Sequence, residues 1–169
     1  MPVLSAENCF RRGLAALAQG DPETAANHFQ AAIVTELQHG VKRPQMRYLS
    51  YYGLSRAKIR GANTQAIQAC ETAARRDFFN PELHLNLGRV YLMAGKTSKA
   101  LSAFQRGLET APGHKALLAE HAKIDRREAP PLPFIARSHV LNKTLGKLRS
   151  STRSRAPKIP GTAKTASDA

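Results

Sequence analysis

Residues 81–114, PELHLNLGRVYLMAGKTSKALSAFQRGLETAPGH, decide the fold of this chain. Apolar side chains recur at helical spacing from Leu83 to Tyr91, and again from Ala100 to Leu108. An Asn-Pro pair precedes the first of these patterns, a glycine follows it, and a proline follows the second. These residues are typical of helix starts and ends. The stretch therefore predicts two consecutive helices joined by a tight turn.

The spacing of small and large residues in this stretch resembles the tetratricopeptide repeat (TPR), a helical pair of about 34 residues. The matching positions are Leu87, Gly88, Tyr91, Ala100, Phe104 and Pro112, and His84 stands where the family usually has tryptophan or another large apolar residue. We expect Gly88 and Ala100 to face each other, so that the two helices pack closely while Tyr91 and Phe104 fill the flanks. A single helical hairpin is the alternative unless further copies occur.

Two weaker copies of the pattern precede this one. Residues 6–39 keep it at Gly13 and Phe29. Residues 46–80 keep it at Gly53, with one extra residue near the turn that follows, and their first helix is predicted to begin at the proline at position 44. Three pairs are about the minimum that stack into a continuous core.

The resemblance implies an all-α fold, a right-handed TPR superhelix of three helix pairs. Residues 115–128 carry a modest apolar face, and we predict that they form a helix that caps the third pair. The TPR domain is accordingly expected to cover residues 1–128. A proline-rich linker with a short amphipathic segment is expected at 129–149. Residues 150–169 are basic and nearly without large apolar side chains, which predicts a disordered tail.

The net charge of +14 is concentrated in two zones. Residues 42–76 carry eight basic side chains against Glu71, and residues 129–169 carry eight against Asp168. Such zones favour an acidic partner, whether a protein, a nucleic acid or a membrane surface. No apolar run approaches the roughly 18 residues of a membrane span, and the start lacks a secretory signal pattern, so we expect a cytoplasmic protein.

Catalytic and metal-binding patterns are missing from the sequence. The six histidines are dispersed, and no glycine-rich phosphate loop or nucleophile motif occurs. Cys9 and Cys70 have neither metal-ligand nor redox-pair spacing, so we predict that both are buried free thiols. The chain is therefore predicted to be non-enzymatic and to use no cofactor or metal.

The resemblance implies that the first helix of each pair lines a concave groove. Groove positions with apolar residues rimmed by charge suit a partner peptide or helix with apolar anchors, although each side chain could instead pack within its repeat. The candidate groove residues are Phe10, Leu14, Leu17, Arg47, Leu54, Lys58, Leu85, Arg89, Leu92 and Met93. A clamp for chaperone C-terminal carboxylates is disfavoured, since only Asn86 fits the lysines, asparagines and arginine that such clamps use.

A non-enzymatic interaction module or scaffold is the predicted function. The alternative is nucleic-acid association through the basic middle repeat and the basic tail. The tail candidates are Lys143, Lys147, Arg149, Arg153, Arg155 and Lys158. No aromatic residue follows Phe134 for base stacking, so a solubilising tail remains open. Two further hypotheses are intramolecular docking of residues 134–149 on the repeats, and a membrane-surface contact by residues 138–149.

Overall fold

The computed structural model describes residues 5–127, and over this range the chain forms helices and no strand. The predicted linker and tail, 129–149 and 150–169, lie outside the described residues. None of the helices between residues 5 and 127 combines the length and the apolar character of a membrane span. The described helices are α1 (Ala6–Ala18), α2 (Pro22–Gln38), α3 (Met46–Arg60), α4 (Thr64–Arg76), α5 (Pro81–Met93), α6 (Thr97–Thr110) and α7 (Lys115–Arg127).

Polar side chains just before four of the helices fix where those helices begin. The caps of α1, α2, α4 and α5 are Ser5, Asp21, Asn63 and Asn80, which accept hydrogen bonds from the backbone N–H groups of Asn8, Thr24, Ala66 and Glu82 at 2.9–3.2 Å. Hydrogen bonds from Thr24 also hold the pKa of the Asp21 carboxyl below its usual value. Gly20 and Gly95 close α1 and α5 with φ angles of 80° and 71°, which favour glycine.

The start of α3 differs from the sequence prediction. We expected the helix to begin at Pro44, but it begins at Met46, and Gln45 is extended. The backbone N–H of Gln45 donates to the Glu36 carboxylate at 2.7 Å. This bond joins the end of α2 to the connection before α3, so the helix starts two residues later.

The helices pack as three successive antiparallel pairs, α1/α2, α3/α4 and α5/α6. Neighbouring pairs stack because α3 contacts α2 and α5, and α5 contacts α4. On α7, Leu117 and Ile124 are buried, and Leu117 packs against the backbone of Gly107 in α6. This architecture confirms the predicted superhelix of three pairs with a capping helix.

Each pair closes around a glycine, and in the third pair Phe104, which was expected on the flank, lies directly against Gly88. A Cβ at Gly88 would lie 2.1 Å from the ring of Phe104, so this ring occupies the space that Gly88 leaves. Gly13 meets the ring of Phe29 in the same way. In the middle pair, Cys70 stands at the aromatic position, and its sulfur lies 2.8 Å from the Cβ position of Gly53.

The unusual His84 is a buried residue with a structural role. Its exposed fraction is 2%, and its ring packs edge-on against Phe78. Nε2 donates a hydrogen bond of 2.7 Å to the carbonyl of Phe78, because a carbonyl oxygen only accepts. The histidine thus secures the turn between α4 and α5. Cys9 and Cys70 are also buried and are not joined in a disulfide, which confirms the prediction of buried free thiols.

Candidate partner-binding surface

In the TPR arrangement the first helix of each pair lines the inner face of the superhelix, which in this chain corresponds to α1, α3 and α5, with α7 following as the capping helix. Side chains near the helix starts link these helices directly. Arg47 on α3 donates to the carboxylate of Glu7 on α1. The Arg47 guanidinium also lies 4.8 Å from the ring centre of Phe10, within range of a cation–π contact. The basic group at position 47 is therefore already engaged within the chain.

Similar links continue along the stack. Tyr51 on α3 donates to Glu82 on α5 at 3.1 Å, and His114 before α7 donates to the other oxygen of Glu82 at 2.9 Å. Further along α5, Arg89 donates to Glu120 on α7 at 3.1 Å. At three successive junctions a side chain thus donates a hydrogen bond to a carboxylate, a set of contacts that we call the inner ladder.

Burial stabilises the neutral form of Tyr51, the tyrosine of the inner ladder. Loss of water contact, followed by the nearby Glu82 carboxylate, raises the pKa of Tyr51 to about 12. The hydroxyl therefore keeps its proton and acts as a donor to Glu82 at neutral pH. The hydrogen bond from Tyr51 fixes the relative position of α3 and α5, because losing it would leave the half-buried Glu82 carboxylate without the Tyr51 hydroxyl as a donor.

Three of the predicted groove residues are buried in the core instead. Phe10, Leu54 and Leu85 have exposed fractions of 5%, 3% and 2%. The ring of Phe10 lies 5.1 Å from that of Tyr48 and 5.6 Å from that of Phe29, measured between ring centres. The expectation that these three side chains stay free for a partner is wrong, because stacking of adjacent repeats already uses their apolar surface.

The other predicted groove residues keep some exposure. Leu14, Leu17 and Leu92 are partly buried against the core, and Lys58 and Met93 are exposed. All five lie in the second half of α1, α3 or α5, whereas most of the inner ladder lies at the helix starts. The inner face therefore has a polar edge of paired groups and an opposite edge where apolar side chains are partly exposed. The six tail candidates from Lys143 to Lys158 lie outside the described residues.

The sequence carried one signal for the ladder that its periodicity alone did not show. Position two of each first helix holds Glu7, Arg47 and Glu82, so the charge alternates from repeat to repeat. Opposite charges at equivalent positions of stacked repeats favour a cross-link between neighbours, and this accounts for the Arg47–Glu7 pair. Glu82 is bound by Tyr51 and His114 instead. His114 and Glu120 could not be assigned in this way, because the register of the capping helix is not set by a repeat.

The inner face also lacks the polar side chain that a carboxylate clamp would present. Asn86 is fully buried, and its amide nitrogen donates to the hydroxyl of Ser50 at 3.2 Å. It therefore joins α5 to α3 rather than facing a ligand. Among residues 5–127, no group of three or more His, Cys, Asp and Glu side chains is arranged to hold a metal ion.

Comparison with known proteins agrees with this architecture. Two family models described as tetratricopeptide repeat match the chain, one at residues 10–77 and the other at residues 59–124. The chain belongs to the tetratricopeptide repeat family. Its TPR repeats make it a protein-interaction module in the general sense of that fold. A search of curated proteins gives no significant match.

Several solved structures resemble the chain at low sequence identity. The TPR domain of Sgt2 from Aspergillus fumigatus has a TM-score of 0.61 at 15% identity, covering 95% of this chain and 90% of that one. The TPR domain of Arabidopsis OM64 has a TM-score of 0.56 at 19% identity, covering 72% and 94%. PcrH, solved with the chaperone binding region of PopB, has a TM-score of 0.56 at 23% identity, covering 73% and 99%. Similarity at these identities establishes the fold alone.

Proposed function

We propose that this TPR protein holds a segment of a partner protein along the apolar edge of its inner face. The observation that supports the proposal is that the paired polar groups and the partly exposed apolar groups lie at opposite edges of the inner face. At the helix starts the charged groups are paired within the chain, while Leu17, Leu92 and Met93 keep apolar surface available near the helix ends. An apolar strip rimmed by charge is typical of surfaces that take apolar anchor residues.

The chemistry of the partner segment follows from the same geometry. Arg47 and Arg89 are each paired with a carboxylate of the chain, so neither is a strong site for an acidic partner residue. Lys58 is exposed on the same face and has no ion pair among the described residues. The preferred segment is therefore mainly apolar, with an acidic residue near Lys58. PcrH, whose structure contains the chaperone binding region of PopB, supports this use of the fold.

Photo-cross-linking of the full chain in its own cell extract tests the proposal. A photoreactive amino acid at position 17, 92 or 93 should cross-link a partner, and one at the exposed outer position 34 should not. Leu17→Glu and Leu92→Glu should abolish capture. Val34→Glu is the matched control, because Val34 is an apolar residue on the outer helix with an exposed fraction of 42%.

The outcome that overturns the proposal is specific. Capture that survives both inner-face substitutions, or that is lost in Val34→Glu alone, would place the partner on another surface. Circular dichroism of each variant separates loss of the partner from loss of the fold, since all three side chains retain contact with water.

Nucleic-acid association is a second candidate function, favoured by one cluster in the middle of the chain. Lys42, Arg43 and Arg76 surround a single cavity of about 440 Å³, and all three are exposed. Clustered cations of this kind bind phosphate groups with a strong dependence on salt. Random single-stranded RNA should bind at about 50 mM salt and dissociate steeply as salt rises. Unchanged affinity in a Lys42→Ala/Arg43→Ala/Arg76→Ala variant would exclude this cluster as the site.

A further inference from the structure

A cleft lies on the face of α5 opposite to the inner ladder. It is bounded by α4, α5 and α6 and has a volume of about 470 Å³. His84, Leu87 and Tyr91 line it from α5, whereas Glu82 of the ladder is two residues from His84, about 200° away around the helix. The cleft is therefore a separate surface from the one assigned to the partner segment above.

The floor of the cleft is apolar. Ala74 and Ala103 are 4% exposed, and Leu87 and Tyr91 are each 8% exposed. Phe78 closes one end and is 42% exposed. A volume of this size falls in the range of ligand pockets, about 300–1,000 Å³. The cleft is thus large enough for one bulky apolar side chain together with the groups beside it.

The rim of the cleft is strongly basic. Arg75 from α4 and Lys99 and Arg106 from α6 are all exposed there, against one carboxylate, Glu71. None of the three cations forms an ion pair with another described residue. The Lys99 ammonium lies 5.7 Å from the ring centre of Tyr91, so one cation is held above the apolar floor.

The single carboxylate at the rim is already in use. Tyr91 donates its hydroxyl hydrogen to Glu71. Burial, the hydrogen bond to Glu71 and its charge raise the pKa of Tyr91 to about 12, so the hydroxyl remains a donor at neutral pH. Glu71 is therefore committed to the wall of the cleft, and the three cations keep unsatisfied positive charge around an apolar floor.

We propose that this cleft is a second docking site, which binds an acidic peptide segment of a partner protein through one apolar side chain in the cleft and flanking carboxylates on Arg75, Lys99 and Arg106. Charge complementarity selects the acidic segment, and the floor selects the apolar anchor. A free anion would contact the rim alone and leave the floor exposed to water. A purely apolar segment would leave the three cations without partners. The apolar floor and the basic rim together fit a segment that carries both an apolar side chain and carboxylates.

A short synthetic peptide with one Phe flanked on both sides by Asp and Glu is the probe, used with the full chain labelled for amide NMR. Binding should shift the amide signals of Tyr91, Ser98 and Lys99, and should weaken as salt is raised. Arg75→Ala/Lys99→Ala/Arg106→Ala should weaken binding about tenfold, because each exposed ion pair contributes modestly. Arg12→Ala/Arg60→Ala/Lys115→Ala is the matched control, since it removes the same charge from exposed positions outside the cleft, and it should leave the affinity unchanged.

Two further variants isolate the apolar component. Ser102→Trp places a bulky ring at an exposed position that lines the cleft, and it should abolish binding while all three cations remain. A peptide with Gly in place of Phe should bind more weakly than the parent peptide.

The proposal would be overturned by shifts confined to the basic tail, by shifts confined to Leu17 and Leu92 of the inner face, or by equal weakening in the two triple variants. Tight binding of the Gly peptide would also overturn it, because charge alone would then account for the affinity. Shifts at the inner face would leave the first proposal standing while removing this one, so the two fail independently.

Discussion

Replacing Gly88 by alanine perturbs the close approach on which the third helix pair depends. The new Cβ would lie 2.1 Å from Cε1 and 2.5 Å from Cδ1 of Phe104. Both distances are far inside the optimal carbon–carbon separation of about 3.5–4.0 Å. Phe104 has no exposed surface, so its ring cannot move aside without displacing other buried side chains. The substitution should therefore separate α5 from α6.

The expected cost follows from two opposing terms. An added methyl in a packed core costs about 1–3 kcal/mol, and the severe overlap with the ring places this case at the upper end. Alanine recovers up to about 1 kcal/mol relative to glycine inside a helix. The net loss in free energy of unfolding should be about 2 kcal/mol, which corresponds to a decrease in Tm of roughly 5–10 °C.

Urea denaturation followed by circular dichroism measures this loss, and amide hydrogen exchange locates it in α5 and α6. Gly113→Ala is the matched control, because nothing lies within 4 Å of its Cβ position. Combining Gly88→Ala with Phe104→Leu should cost less than the sum of the two single changes, since the smaller side chain leaves room for the methyl. A Gly88→Ala variant as stable as the wild type, or strict additivity in the double variant, would refute this account of the packing.

Three further predictions concern ionisation, the histidine and a helix cap. Burial raises the folded-state pKa of both Tyr51 and Cys70 to about 12, so these groups ionise first in the unfolded chain, and the free energy of unfolding should fall between about pH 9 and 12. The fall should be smaller for Tyr51→Phe, and urea midpoints that stay constant over this window would contradict the prediction. His84→Phe keeps the bulk of the side chain but removes the donor to the Phe78 carbonyl, so the free energy of unfolding should fall by about 1 kcal/mol and amide exchange in the turn before α5 should become faster. Unchanged exchange would show that this hydrogen bond does not hold the turn. Asn63→Ala removes the cap of α4 and should cost about 1 kcal/mol, measured by urea denaturation, whereas Asn63→Asp should cost much less.

The fold could be predicted because its determinants are local. Gly88 and Phe104 recur in sequence as Gly13 and Phe29, and the helix caps are short-range patterns that need no knowledge of distant contacts. The position of Phe104 was nonetheless not predicted: its ring lies directly against Gly88 and not on the flank of the helix pair. Spacing along one helix shows which residues share a face, but it does not show how far a side chain on the opposite helix reaches across.

The binding face was harder to predict because packing between repeats and contact with a partner both require apolar side chains. An apolar side chain on the first helix of a repeat either packs against the next repeat or stays available to a partner. Phe10, Leu54 and Leu85 do the former, and only the burial in three dimensions separates them from Leu17 and Leu92. The charged residues of this face have the same ambiguity, since a pair such as Arg47 and Glu7 is formed across repeats of unequal loop length.

Because the inner face has one edge of paired polar groups and one edge of partly exposed apolar groups, a partner gains affinity mainly at the apolar edge. A partner carboxylate that approached Arg47 or Arg89 would have to displace Glu7 or Glu120, exchanging one ion pair for another with little net gain. A partner side chain that covers Leu92 gains the apolar area of both groups, about 25 cal/mol for each Å² removed from water. Under the proposed function, affinity should therefore follow the apolar content of the bound segment and vary little with salt. The basic cleft between α4, α5 and α6 should show the opposite dependence, because its cations form no ion pair with another described residue.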